Sequence, residues 1–315
     1  MIVFPKIIYT KERLRRYYFV VTLVFGLLLL AAIILRINVG SLRATFALGS
    51  LPLLFLAPLW ILLAHFIAIA RWKVFLLAAG YHISFLRLCV SFFANLPAAK
   101  FFPSYSGDLL RVVYVADVVP HAFHFGVIGT EALLDIVALL LIVMFGATFS
   151  GMYTVAIGAF LALCIGVLLV FSLHHFALRL AQYFPSVLRA LDAFKVLKRN
   201  PFFGILLLAL SVSGWFCTAF FILQLFIAFG VSVSLGYILL VQPMVTIVSL
   251  LPITLGGIGV REGAMLFLYG GVVSAHIILA VGTYYSFVSV ILFSLLSLPV
   301  YFVVSRNLDK RAIGV

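Results

Sequence analysis

The sequence predicts an all-α, polytopic membrane protein. Hydrophobic residues make up 66% of its 315 positions and charged residues 9%, and the mean hydropathy is +1.33. A soluble domain carries about 25% charged residues, and a disordered chain is poor in apolar ones, so both classes are excluded. The apolar runs are continuous instead of alternating residue by residue, which excludes a transmembrane β-barrel.

A helix needs about 20 apolar residues to cross about 30 Å of hydrocarbon. Residues 17–35, between Arg16 and Arg36, give the first expected span. It reads as a retained anchor: the run is long for a signal peptide and no A-x-A site follows. Residues 44–70, bounded by Arg71, give the second. The charge-free stretch after Asp135 breaks at Gly146–Gly151, so two spans are expected at about 125–147 and 152–173, followed by others at about 202–228 and 276–303.

The net charge is +13. Its bases gather at Lys6–Arg16, Arg71–Arg87, Arg179–Arg199 and Arg306–Arg311, between the apolar runs. That is where the positive-inside rule puts them. Both termini and these loops are therefore expected in the cytoplasm, and nucleic acid is not an expected partner. Cys89, Cys164 and Cys217 each lie in an apolar run and read as small buried hydrophobes. Residues 175–199 alternate apolar and basic positions around Pro185, which predicts two short amphipathic helices on the membrane surface.

This orientation leaves two segments, 88–103 and 233–272, that start and finish on one side. Both are expected to be re-entrant, which membranes tolerate only where protein or water covers the irregular backbone. The two are alike. One reads Phe93-Ala94-Asn95-Leu96-Pro97, then Gly107-Asp108-Leu109-Leu110-Arg111. The other reads Val248-Ser249-Leu250-Leu251-Pro252, then Gly256-Gly257-Ile258-Gly259-Val260-Arg261-Glu262-Gly263. They lie half a chain apart. The expected architecture is a single domain, 1–315, of about six full spans plus two re-entrant broken-helix elements. Its halves, about 10–150 and 151–315, are inverted relative to one another, as in many transporters.

The candidate chemistry lies on those elements. Pro252 is expected to end one helix and a new one to begin near Gly259. Its unpaired N–H groups and positive dipole end would suit an anion. Arg261 adds a fork matched to phosphate, and Gly256, Gly257 and Gly259 let a ligand approach the backbone. The competing reading pairs Arg261 with Glu262 or Glu131. In the first half Gly107 and Arg111 are the counterparts, with Asp108 either a helix cap or an ion-pair partner of Arg111. Lys100, between two proline-bounded turns, is placed to reach head groups. Glu131 and Asp135 share a helix face. Either they share a proton or cation, or they pair with Arg111 or Arg261. Glu262 joins them as a charge-balancing or proton-coupling group. No metal site is expected, since no His–Glu helix motif accompanies the acids. No cofactor is expected either, and no phosphate-cradling NTPase loop is present.

Three elements together carry a resemblance: Leu-Pro…Gly-Asp-x-x-Arg, the Glu131-Ala-Leu-Leu-Asp135 helix, and Leu-Pro-x-x-x-Gly-Gly-x-Gly-x-Arg-Glu-Gly. The chain resembles the membrane, or flippase-like, domain of lysylphosphatidylglycerol synthases from about residue 10 to 305. It departs from the family pattern at Ser106, where a second glycine is common, and at Ala132, where arginine is. The last expected span ends near 303, so the soluble aminoacyl-transferring domain of the full synthases is expected to be absent, and with it their enzyme activity. The resemblance implies a lipid flippase in the inner or plasma membrane of a prokaryote. It would move an anionic phospholipid or a polyprenyl-phosphate-linked lipid between leaflets, with Arg111 and Arg261 holding the head group. The alternatives are a membrane-embedded transferase acting on polyprenyl-linked lipids and a non-catalytic membrane subunit. The expected partners are membrane lipids, and beyond them a second copy of the chain or a separate lipid-modifying enzyme.

Overall fold

The computed structural model describes residues 45–101, 111, 114–181, 191–196, 200–251 and 253–313. All the regular elements described there are helical. In chain order they are α1 (Leu51–Leu56), α2 (Pro58–Ala78), α3 (Phe85–Phe101), α4 (His121–Phe149), α5 (Tyr153–Ala181) and α6 (Pro201–Ala228). Then come α7 (Leu235–Ser249), a 3-10 turn (Leu255–Gly257), α8 (Val260–Tyr269) and α9 (Ala275–Ser286). A π-helical stretch (Phe287–Leu292) joins α9 to α10 (Phe293–Ile313).

Four stretches are long and apolar enough to cross a membrane: Leu51–Ala78, His121–Phe149, Pro201–Ala228 and Ala275–Val303. At 28 or 29 residues each, they reach about 42 Å. In α5 the apolar stretch is shorter, Tyr153–Leu169. Its Ile157, Phe160, Leu161, Ile165 and Leu168 are all exposed, as a lipid-facing helix requires. The expected span at 17–35 lies outside the described residues. So does Pro185; α5 itself continues to Ala181, and residues 191–196 form a helical turn beyond it.

Helix α6 is central and packs against α1, α2, α4, α7 and α9. Its Phe221, Ile222, Leu225 and Phe226 are fully buried. Helices α2 and α6 run antiparallel: Trp60 Nε1 donates to Gln224 Oε1 at 2.7 Å near one end, and Arg71 Nη1 donates to Ser211 Oγ at 2.6 Å near the other. Helix α3 packs along α10, and α7 along α4. Helices α2 and α6 also finish alike. Tyr81 N–H bonds Leu76 O at 2.9 Å after α2, and Val231 N–H bonds Phe226 O at 2.9 Å after α6. In each case four residues without regular structure, 81–84 and 231–234, lead into the next helix.

Two boundaries differ from those read in the sequence. The second span does not stop at Arg71; α2 carries Arg71, Trp72 and Lys73 inside it and runs to Ala78. A charge-free window marks a span end only when the bounding charge seeks water, and Arg71 is buried with acidic partners. Pro97 does not end its helix; it lies inside α3, which continues to Phe101. A proline forfeits one backbone hydrogen bond and strains one turn, and membrane helices accommodate this where neighbours cover the freed carbonyl.

The α4–α7 contact depends on a missing side chain. A Cβ added at Gly146 would sit 2.4 Å from Leu240 N, 2.6 Å from the Leu239 carbonyl carbon and 2.8 Å from Gly236 O. These are backbone atoms, so neither helix can yield locally, and small residues at such crossings let backbones meet. Gly146→Ala is expected to cost about 1–3 kcal/mol, the usual range for overpacking. Gly158→Ala on α5, where nothing lies within 4 Å, is expected to cost nothing. Thermal unfolding of the two variants in one detergent checks the contrast.

Candidate functional site

Glu131 and Asp135 are four residues apart on α4, so they face one way. Helix α2 brings Arg71 against them. The Arg71 guanidinium takes Asp135 with both terminal nitrogens, Nη1 to Oδ1 and Nη2 to Oδ2, the second at 3.2 Å. Its Nε lies 3.7 Å from Glu131 Oε1. On the other side Arg111 Nη2 pairs with Glu131 Oε2. The Arg111 guanidinium carbon lies 4.8 Å from the centroid of the Trp72 ring. From α6, Trp215 Nε1 donates to Asp135 Oδ1 at 3.3 Å. The result is a buried chain, Asp135–Arg71–Glu131–Arg111, with two charges of each sign.

Arg261 approaches from the other half of the chain. Gly257 has φ 75° and Gly259 φ 85°, a region open to glycine and costly for other residues. At Gly257 a Cβ would also lie 3.2 Å from Ser249 Cβ and 3.4 Å from Arg261 Nη2. This turn starts α8 at Val260, which places Arg261 and Glu262 in its first turn. Glu262 is fully buried. Its Oε2 accepts from Gly259 N–H at 2.6 Å, and its Oε1 accepts from Ser286 Oγ at 2.5 Å. Glu262 is thus a helix cap tied to α9, and it does not pair directly with Arg261. Arg261 Nη1 donates to Ser286 Oγ at 2.9 Å and to Ser289 Oγ at 3.4 Å, and its Nη2 donates to Gly256 O at 3.0 Å. Its guanidinium carbon lies 4.2 Å from the centre of the Tyr285 ring. Among the described residues no carboxylate lies within ion-pair distance of it. The π-helical stretch begins beside these contacts; such turns are frequent at functional sites.

These groups line one cavity of about 340 Å³. Arg71, Arg111 and Arg261 meet Glu131 and Asp135 there, which leaves one cation in excess among the described lining residues. Thr254 also lines it. Thr254 is 4% exposed, and its Oγ1 has no hydrogen-bond partner among the described residues. Glu131 Oε1 likewise accepts no hydrogen bond there. An excess guanidinium, an uncommitted hydroxyl and a glycine turn form a donor set suited to one phosphate-like group.

Of the residues singled out in the sequence, Arg111, Glu131, Asp135, Gly256, Gly257 and Arg261 line this cavity. Gly259 and Glu262 support it from behind. Gly107 and Asp108 lie outside the described residues. Lys100 belongs to the last turn of α3 and not to a loop between turns. Several lining residues escaped the sequence reading, among them Arg71, Trp215, Thr254, Tyr285 and Ser289. Arg71 was assigned to a basic loop, although it stands only one residue past an apolar run. No group of three or more metal-binding side chains occurs among the described residues.

A family model described as the lysylphosphatidylglycerol synthase TM region matches residues 19–297. A search of curated proteins gave no match.

Proposed function

The chain belongs to the lysylphosphatidylglycerol synthase TM-region family, and from that premise we propose that it is a flippase, moving an anionic lipid between leaflets of a prokaryotic inner or plasma membrane. The observation that carries the reading is Arg261, a buried guanidinium with no described carboxylate partner, facing a cavity whose other charges balance. A cation held that way in a membrane is expensive, and a phosphate monoanion would complete it. The cavity is near the lower end of the usual range for ligand sites, about 300–1,000 Å³. It therefore suits a head group and not a whole lipid. Arg261 and Thr254 hold the phosphate, and Arg111 completes the opposite wall. Glu131 and Asp135 keep Arg71 and Arg111 charged and in place, and could pass a proton when a substrate displaces them.

The same reading includes two inverted halves, and two features support it. Helices α2 and α6 finish with the same hydrogen-bonded turn. The helices after those turns, α3 and α7, each pack against a partner from the other half of the chain, α10 and α4. At 15 and 10 residues, α7 and α8 reach about 22 and 15 Å. Each is too short to span the hydrocarbon, as a re-entrant pair would be. The basic N-terminus and tail face the cytoplasm in this arrangement, and transport is downhill or ion-coupled.

The experiment is translocation in vesicles reconstituted with the purified chain. A phospholipid with one phosphodiester charge is expected to cross faster than in protein-free vesicles, and an uncharged diacylglycerol no faster. Equal rates for the phospholipid with and without protein would overturn the proposal.

A further inference from the structure

The charged cavity continues past Arg71. A second cavity of about 220 Å³ shares Arg71, Asp135, Trp215 and Tyr285 with it. Beyond these and the shared His65, Ala68 and Ser289, its walls are Ile61, Ala64 and Ile67 of α2 and Leu210, Ser211, Gly214 and Thr218 of α6, with the apolar ones toward mid-span. The two helices touch on either side of this point. Trp60 stacks on Phe220 with ring centres 5.1 Å apart, and Arg71 reaches Ser211. Between these contacts the cavity is walled by the small residues Ala64 and Gly214. A Cβ at Gly214 would meet a single atom within 4 Å, Ile67 Cγ2 at 3.8 Å. Ala64 and Gly214 stand at the middle of the candidate spans Leu51–Ala78 and Pro201–Ala228, and the neighbouring Leu63 and Phe66 are exposed to the outside.

At mid-depth a bilayer offers only hydrocarbon. An apolar seam that begins there and ends at a guanidinium cluster joins two environments that one kind of molecule spans. We infer that the α2–α6 seam holds a hydrocarbon chain of the transported lipid while its phosphate sits at Arg261. The inference rests on the head-group reading above and narrows it: the substrate is a long-chain lipid phosphate taken sideways from the bilayer, not a water-soluble phosphate. Helices α2 and α6 then form the side port, and Arg71 with Asp135 is the threshold between chain and head group.

Photo-crosslinking tests this in the unaltered protein. A phospholipid with a diazirine near the end of one acyl chain, reconstituted with the full chain, is expected to label Ile61–Ile67 and Leu210–Thr218. Labelling confined to lipid-facing α5 would overturn the seam. A substitution gives a second readout. Gly214→Leu fills the gap and is expected to slow translocation of the long-chain phospholipid at least about tenfold, as blocking a small apolar pocket does. Binding of a water-soluble dibutyryl analogue should be unchanged. Arg261→Ala is expected to lose both. Long-chain transport at the normal rate in folded Gly214→Leu would overturn the seam and leave the head-group site standing. Normal behaviour of Arg261→Ala in both assays would overturn the head-group site itself. If Gly214→Leu fails to fold, Ala64→Leu fills the same gap from the facing helix and is read in the same way.

Discussion

Arg261→Ala is expected to slow phospholipid translocation about 10- to 100-fold without unfolding the protein. A hydrogen bond to a charged group is worth about 1.5–3 kcal/mol, and each 1.4 kcal/mol is a factor of ten. The fold should survive because of what the arginine does not do. It neutralises no carboxylate among the described residues, so its removal orphans no buried anion. Ser286 keeps its bond to Glu262, and Glu262 keeps the N–H of Gly259. The Gly256 carbonyl loses one donor. Arg261→Lys retains the charge but not the fork, and one ammonium cannot reproduce both the Nη1 and the Nη2 contacts. Its rate should fall between those of the parent and the alanine variant. Initial translocation rates in vesicles of one composition, normalised to protein that retains its thermal transition, check the series. A parental rate in Arg261→Ala would remove the guanidinium from the mechanism.

How far the sequence disclosed this site depends on which residues are considered. The turn at Gly256–Gly259 and the helix starting at Val260 were legible, because glycine clustering and an acid three residues after the cap are local signals. Four of the expected spans, at 44–70, 125–147, 202–228 and 276–303, were legible because hydropathy is additive along a helix. Arg71 was not, because its burial depends on Glu131 and Asp135, some 60 residues away in sequence. A window that counts charges treats a compensated arginine and a solvated one alike. The same limit explains Pro97: its local effect is to break a helix, and only packing against α10 decides otherwise. Thr254 carried no signal at all, since a lone threonine in a turn is ordinary until a cavity is seen beside it. The break at Gly146–Gly151 was legible too, since α4 ends at Phe149 and α5 starts at Tyr153, but the packing role of Gly146 was not. The glycine is there for the approach of α7, a contact nearly a hundred residues distant.

Asp135→Leu is expected to be the most destabilising single change at the site, at about 3–5 kcal/mol, the range for breaking a buried ion pair from one side. Arg71 would keep its charge at a position 8% exposed while losing the carboxylate that takes both its terminal nitrogens. Trp215 Nε1 would lose its acceptor. The double change Arg71→Met with Asp135→Leu removes both charges and is expected to recover most of the loss, because a well-packed apolar pair can replace a buried salt bridge at little cost. Glu131 and Arg111 still satisfy each other in the double variant. Breaking the exposed pair Lys195–Asp192, whose side chains are 57% and 45% accessible, should cost no more than about 1 kcal/mol. Unfolding free energies of the parent, Arg71→Met, Asp135→Leu and the double variant in one detergent, read as a double-mutant cycle and set beside the surface pair, distinguish two states of the cavity. A coupling of several kcal/mol means that the chain of charges is dry until a head group arrives, so the lipid must supply the anion that Arg261 lacks. A coupling no larger than that of the surface pair means that water already fills the space between α2 and α4. In that case Arg261 is solvated at rest, and selection for phosphate must come from the shape of the glycine turn and not from the cost of an unpaired charge.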